Sequence, residues 1–213
     1  MSRLPEPPLL VITARAFTRR PIRAVVAHVF AGGCRWLMVR EKDLSDRALA
    51  GMVRDFLEMA RPYQALVTVN GNVDVAADVG AHGVHLQHAD HVTPARRRLG
   101  KRALIGVSAH SLSEAHEAAR AGADYITLSP IFASISKPGY GPTGDEGLDL
   151  LRAVVRAIPT PVMALGGITA ENAARCLEAG AAGVAVLGRV MGALNPQAEV
   201  RALVKAVTGG GGR

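Results

Sequence analysis

Aromatic residues are scarce in this chain, 4% of 213 residues with a single tryptophan. That scarcity, with no RNA- or DNA-reading motif in view, argues against nucleic acid as a partner, although the net charge is +7 and the pI near 10.1. The densest basic run, "ARRRLGKR" from Ala95 to Arg102, falls where a short helix and its turn are expected and reads as a solvated face. Cysteine is also nearly missing. Cys34 and Cys176 stand far apart and match no metal or redox spacing, so a reduced, cytoplasmic protein is the simplest expectation. No apolar run approaches the roughly 18 to 20 residues of a membrane span, and "MSRLPEPPLL" lacks a small-residue cleavage pattern. What the chain does have is apolar substance, 49% of its residues, enough for one compact domain with a real core. The expected unit is a single domain over 1–208 with a Gly-rich tail at 209–213. A basic balance without nucleic acid suits small phosphorylated molecules.

Four segments share one pattern: "VFAGGCRWLMV" (29–39), "ADVGAHGVHL" (77–86), "ARAGADYITL" (119–128) and "LEAGAAGVAVL" (177–187). Each has a helix-like end, a glycine suited to the left-handed closing position, then a continuous apolar run of the kind found in parallel strands buried on both faces. Further strands are expected in 9–13, 65–70, 103–108 and 161–167. Helical patterns fill the gaps, for example 46–60, 112–122 and 147–158, with Ser113 and Thr169 as candidate caps. Eight strands alternating with helices predict a closed (β/α)8 TIM barrel, an α/β fold, over an open doubly wound sheet. A dinucleotide-binding G-x-G-x-x-G loop is missing, which counts against the latter.

In such a barrel the active site lies where the strands end. Strand 2 ends in Arg40, Glu41 and Lys42, strand 3 in Asn70 and Gly71, and strand 4 in His85, Gln87, His88 and then Asp90. Strand 5 delivers Ser108 and His110, and strand 6 opens the long loop "SPIFASISKPGYGPTGDEG" with Ser134, Ser136 and Lys137. Glycines follow strand 7 (Gly166, Gly167) and strand 8 (Gly188), where a phosphate can approach backbone N–H groups. His110 is placed for proton transfer, because an imidazole titrates near neutral pH. His85, inside a strand pattern, reads as a packing histidine, and with His88 and Asp90 it makes no defined transition-metal set.

The pieces "VREK" (39–42), "VNGNVDVAADVGAHGVHL" (69–86), "GVSAHSLSEA" (106–115), "GADYITLSPIFASISKPG" (122–139), "GGITAENA" (166–173) and "AGAAGVAVLG" (179–188), in this order and spacing, resemble the thiamine-phosphate synthase and thiazole tautomerase superfamily along nearly the whole chain. The resemblance implies a (β/α)8 barrel and a transferase that joins an aminopyrimidine methyl diphosphate to a thiazole phosphate, with diphosphate leaving first. Positioning and charge stabilisation would carry most of that reaction. It implies Mg²⁺ at the diphosphate, with Asp90 as a ligand. It implies diphosphate binding by Arg40, Lys42, Asn70, Ser108 and Lys137, with Ser134 and Ser136 in place of the usual threonines. The thiazole phosphate would sit on the backbone of Gly166, Gly167, Leu187 and Gly188.

Two positions depart from the family pattern. Met38 stands where a glutamine contacts the pyrimidine, and Gly71 where an aspartate binds magnesium; Asp74 is no obvious replacement. Losing one carboxylate weakens a divalent-ion site. The alternatives are therefore a thiazole tautomerase, with His110 as acid and base, or a non-catalytic phosphate binder on the same fold. Arg40, Lys137 and His110 are the catalytic candidates. The sequence leaves open whether the chain forms a homo-oligomer.

Overall fold

The structure, a computed structural model, describes residues 4–133, 141–142 and 144–209. The helix-to-strand joint recurs in it at the four expected places. Gly33, Gly80, Gly122 and Gly180 adopt φ values of 104°, 68°, 85° and 97°. Each lies three residues before the first residue of an even-numbered strand. This backbone is open to glycine and strained for other residues, so the glycine ends one helix and sets the direction of the next strand.

Among the described residues the order is β1 (Leu9–Ile12), α1 (Ile22–Ala31), β2 (Trp36–Val39), α2 (Asp46–Ala60), β3 (Leu66–Asn70), α3 (Val73–Val79), β4 (Gly83–Leu86), α4 (Val92–Leu99), β5 (Leu104–Ala109), α5 (Leu112–Arg120), β6 (Tyr125–Leu128), α6 (Glu146–Ala157), β7 (Val162–Leu165), α7 (Ala173–Glu178), β8 (Gly183–Val186), α8 (Gly188–Met191) and α9 (Pro196–Gly209). The strands pair in parallel and in sequence, and β8 closes on β1 with Leu9 beside Val184. This is a (β/α)8 barrel. Residues 210–213, where the Gly-rich tail is expected, lie outside the described residues.

The strands are short and buried on both faces, and successive side chains alternate between two cores. Leu37, Val39, Val67, Ile126 and Val184 face the helices, where Phe30, Phe56, Leu151 and Leu203 meet them. Leu10, Ile12, Trp36, Met38, Leu104, Tyr125, Met163 and Ala185 fill the barrel. Alternate strands build each interior layer. In the lowest layer the even strands contribute Trp36, Gly83, Tyr125 and Gly183, large and small in turn. The two aromatic rings meet edge to face, 4.7 Å between centroids. Gly106 gives Tyr125 its space, since a Cβ there would lie in the tyrosine ring. The barrel is a solid plug below its rim.

The helices follow from their apolar spacing. In α2, Leu49, Val53, Phe56 and Ala60 form the buried stripe, and Ser45 Oγ accepts the Ala48 N–H at 3.4 Å. Two caps differ from the sequence expectation. Ser111, not Ser113, caps α5 by accepting the Glu114 N–H at 3.2 Å; Ser113 lies inside the first turn, its hydroxyl 3.5 Å from Glu117. Before α7 it is Asn172 whose side chain holds the loop, accepting the Thr169 N–H at 2.8 Å. In both cases the amide geometry, which a list of cap-forming residue types does not contain, selects the partner. Among the described residues no helix is long and apolar enough to cross a membrane.

Candidate active site

The C-terminal rim gathers most of the residues singled out from the sequence. Arg40 directly follows β2. Its N–H donates to Thr13 Oγ1 at 3.0 Å, and the Thr13 N–H donates to the Met38 carbonyl at 2.9 Å. The Arg40 side chain is half-buried and Lys42 is exposed; among the described residues neither forms a side-chain hydrogen bond or ion pair. Glu41 between them is buried and is held by Arg15. Two cations are thus left without a carboxylate at the mouth of the barrel, where an anion can be their partner.

Beneath them lies a buried polar network. Asn70 ends β3 beside His85, with its amide nitrogen 4.0 Å from Met38 Sδ. His85 is 3% exposed. Its Nδ1 stands 3.0 Å from the Tyr125 hydroxyl, and its Nε2 3.0 Å from Ser108 Oγ and 3.2 Å from Thr127 Oγ1. Burial drives its pKa down to about 3, so the ring is neutral at any ordinary pH. A neutral imidazole offers one donor and one acceptor, which the flanking hydroxyls can match. His85 is the packing histidine that its strand position implies, and it also fixes the half-buried Ser108. Met38 is 1% exposed and faces the interior just below Asn70. Met38 thus presents a buried apolar side chain beside Asn70.

His110, one residue beyond β5, is exposed. Its N–H donates to Glu114 at 2.6 Å, and its Nδ1 stands 2.7 Å from the Ser129 carbonyl. A carbonyl only accepts, so Nδ1 carries the proton in that contact and Nε2 is the open nitrogen of the neutral ring. Burial pushes both Cys34 and Cys176 up to about 12, so neither supplies a thiolate nucleophile.

The opposite side of the rim is made of main chain. The N–H groups of Gly166, Gly167 and Gly188 form no hydrogen bond among the described residues. Gly166 and Gly167 have φ values of 102° and 65°, and Asn172 Nδ2 donates to the Gly167 carbonyl at 2.9 Å. The loop after β6 packs directly on this turn. Ile131 and Phe132 donate their N–H groups to the carbonyls of Leu165 and Gly166, both at 3.0 Å. A Cβ on Gly167 would collide with the Ala133 carbonyl and Phe132. Close packing is thus a second reason for glycine here, besides access of a ligand to the backbone. Leu187, half-buried, leads into Gly188, which opens α8. Ser134, Ser136 and Lys137 lie outside the described residues.

Asp90 lies in a short turn after β4. Its side chain is 77% exposed, and His91 Nε2 is 3.8 Å away. Among the described residues no three His, Cys, Asp or Glu side chains form a metal cluster. The end of β3 contributes the neutral pair Asn70 and Gly71, with Gly71 at φ 79° and open space where a Cβ would be. Mg²⁺ is commonly held by one or two carboxylates with substrate phosphates and water completing its shell. The single exposed carboxylate of Asp90, at the same rim, fits that mode, in which the substrate supplies much of the coordination.

Sequence reasoning passed over Thr13 and Arg15, and gave no role to Glu41, which it placed at the end of strand 2, or to Asn172. Thr13 carried a signal, a hydroxyl at the end of the apolar run "LLVIT". The contacts of Arg15 and Asn172 depend on loop geometry.

Residues 9–190 match the family described as thiamine monophosphate synthase. A thiamine-phosphate synthase of Chloroflexus aurantiacus is 40% identical over 196 residues, 92% of this chain and 90% of the relative. That of Moorella thermoacetica is 39% identical over 201 residues, 93% of this chain and 94% of the relative. Among solved structures, thiamine phosphate pyrophosphorylase from Pyrococcus furiosus superposes with a TM-score of 0.84 at 33% identity, covering 96% of each chain.

Proposed function

The chain belongs to the thiamine monophosphate synthase family, and on that premise we propose that it joins an aminopyrimidine methyl diphosphate to a thiazole phosphate, releasing diphosphate. The observation that carries this reading is the pair of cations, Arg40 and Lys42, and, across the same rim, a set of backbone N–H groups, all without a partner among the described residues. One side suits the larger anion and the other a single phosphate. The names of the relatives favour this transferase over the aromatising isomerase and over a non-catalytic binder.

Arg40 and Lys42 would take the diphosphate, joined by Asn70, by Ser108 in the orientation His85 gives it, and by Lys137. Charge that builds on the leaving group as its C–O bond breaks would meet these fixed donors, which need no reorganisation. Mg²⁺, when bound, would supply further charge neutralisation on the same oxygens, and Asp90 is the residue to hold it. The backbone at Gly166, Gly167, Leu187 and Gly188 would fix the thiazole phosphate, and with it the ring nitrogen that attacks. Ser134 and Ser136 would complete the hydroxyl set. Met38 offers an apolar face where a hydrogen-bonding side chain is usual, so the pyrimidine would be held there by shape. His110 has no required proton to move in this reaction; in the isomerase reading it would be the acid and base.

The test is direct. Purified protein supplied with both substrates and Mg²⁺ is expected to form thiamine phosphate and diphosphate in equal amounts. No product, under conditions where a known synthase turns over, would overturn the proposal. Isomerisation of a thiazole phosphate carboxylate, lost in His110→Ala, would replace it with the tautomerase reading.

A further inference from the structure

The three charges after β2 do not face the same way. Along that strand Trp36 and Met38 belong to the interior core, and Leu37 and Val39 to the outer one. Arg40 continues the inner parity and Glu41 the outer. Glu41 is accordingly 7% exposed. Its carboxylate takes three hydrogen-bond contacts from one residue of the neighbouring loop. The Arg15 N–H lies 3.0 and 3.2 Å from its two oxygens, and the Arg15 Nε–H donates at 3.3 Å. Arg15 Nη2 meanwhile donates to Asp43 at 2.6 Å. One arginine thus occupies both acids that flank Arg40 and Lys42. At the other end of the same segment, Thr13 Oγ1 accepts the Arg40 N–H at 3.0 Å.

We infer that Glu41 is a positioning residue for the anion site, acting through Arg15, alongside the separate bond of Thr13 to Arg40, rather than by touching substrate. The inference rests on the reading of this rim as the diphosphate site. A carboxylate between two cations should by itself repel an anion, and free acids next to Arg40 and Lys42 would compete for them. Arg15 removes both difficulties. It saturates Glu41 in a buried place and ties down Asp43, so the cations remain unpaired. The bonds of Glu41 and Thr13 stitch the loops after β1 and β2 together on either side of residue 40, which fixes the backbone from which Arg40 extends. Substrate-binding cations held in this way lose less freedom when the anion arrives.

The inference opposes simple electrostatics, which makes it testable. Glu41→Gln removes a negative charge near the anion site, so charge alone would tighten binding. Loss of positioning weakens it, because the neutral amide leaves one acceptor oxygen for the Arg15 N–H and Nε–H and sets its NH₂ against the Arg15 N–H. Titration calorimetry with inorganic diphosphate and Mg²⁺ should give roughly ten-fold weaker binding for Glu41→Gln. Thr13→Val, which keeps the shape and removes the other stitch, should bind diphosphate several-fold more weakly. Binding of the thiazole phosphate should be unchanged in both, which a general loss of structure would not allow. Equal or tighter diphosphate binding by folded Glu41→Gln would overturn the inference. If that variant does not fold, Thr13→Val decides in the same way: weaker binding supports the inference, and parental binding overturns it. Diphosphate binding by the parent that survives Arg40→Ala, or no binding by the parent, would overturn both the inference and the underlying assignment of this rim.

Discussion

After β7 and β8 the rim is made of main chain, and after β2, β3 and β4 it is made of side chains. The first side is locked. Gly166 and Gly167 have backbone angles that few other residues adopt, Asn172 ties the turn, and residues 130–133 lie against it. Backbone N–H groups persist whatever residue type a mutation introduces, but only while the glycines keep the turn. The second side can change one side chain at a time with the barrel intact. That is where, by the resemblance, the chain departs from the family pattern, at Met38 and Gly71. On the proposed reading, the half that would hold the thiazole phosphate is hard to alter, and the half that would take the second substrate is easy to alter.

The floor shared by both sides gives the largest expected effect. The His85 pKa is depressed from 6.5 to about 3. Below about pH 6.5 the unfolded chain therefore takes up a proton that the folded chain refuses. Stability is full above that pH and falls as the pH drops toward 3, by on the order of 4 to 5 kcal/mol over the whole window. Urea unfolding at a series of pH values should show this slope, and His85→Gln should remove its share. On the side-chain half, Arg40→Ala should lower turnover roughly 100-fold with little change in unfolding midpoint, since among the described residues its side chain has no partner to lose. On the main-chain half, Gly167→Ala should raise the KM for the thiazole phosphate by about ten-fold and also lower the melting temperature, because strain and a clash act together. That contrast in stability, a loss for Gly167 and none for Arg40, would sharpen the comparison; equal losses would break it. The smallest change is Met38→Gln, expected to lower the KM for the pyrimidine diphosphate by roughly three-fold if the new amide is satisfied there.

Much of this was readable in the residues. The glycine before each even-numbered strand marked four of the eight joints, because a left-handed helix end is a local requirement. Apolar tetrads marked β1, β2, β7 and β8, because strands buried on both faces are mostly apolar. Arg40, Ser108, Asn70 and His110 fell at the rim because strand ends place them there. What remained hidden depended on contacts between loops. Nothing in "RAFTRR" says that Arg15 will close on Glu41, and nothing in "GGITAEN" says that Asn172, rather than Thr169, will hold the turn. These partnerships come from the barrel's closure, which brings residues far apart in sequence within bonding distance.

The central claim is that the side-chain half of the rim still recognises a diphosphate despite Met38 and Gly71. Calorimetric titration with the aminopyrimidine methyl diphosphate tests it most directly. The account predicts saturable binding that is strengthened by Mg²⁺ and abolished in Arg40→Ala. Absence of binding by protein that still takes up the thiazole phosphate would contradict it.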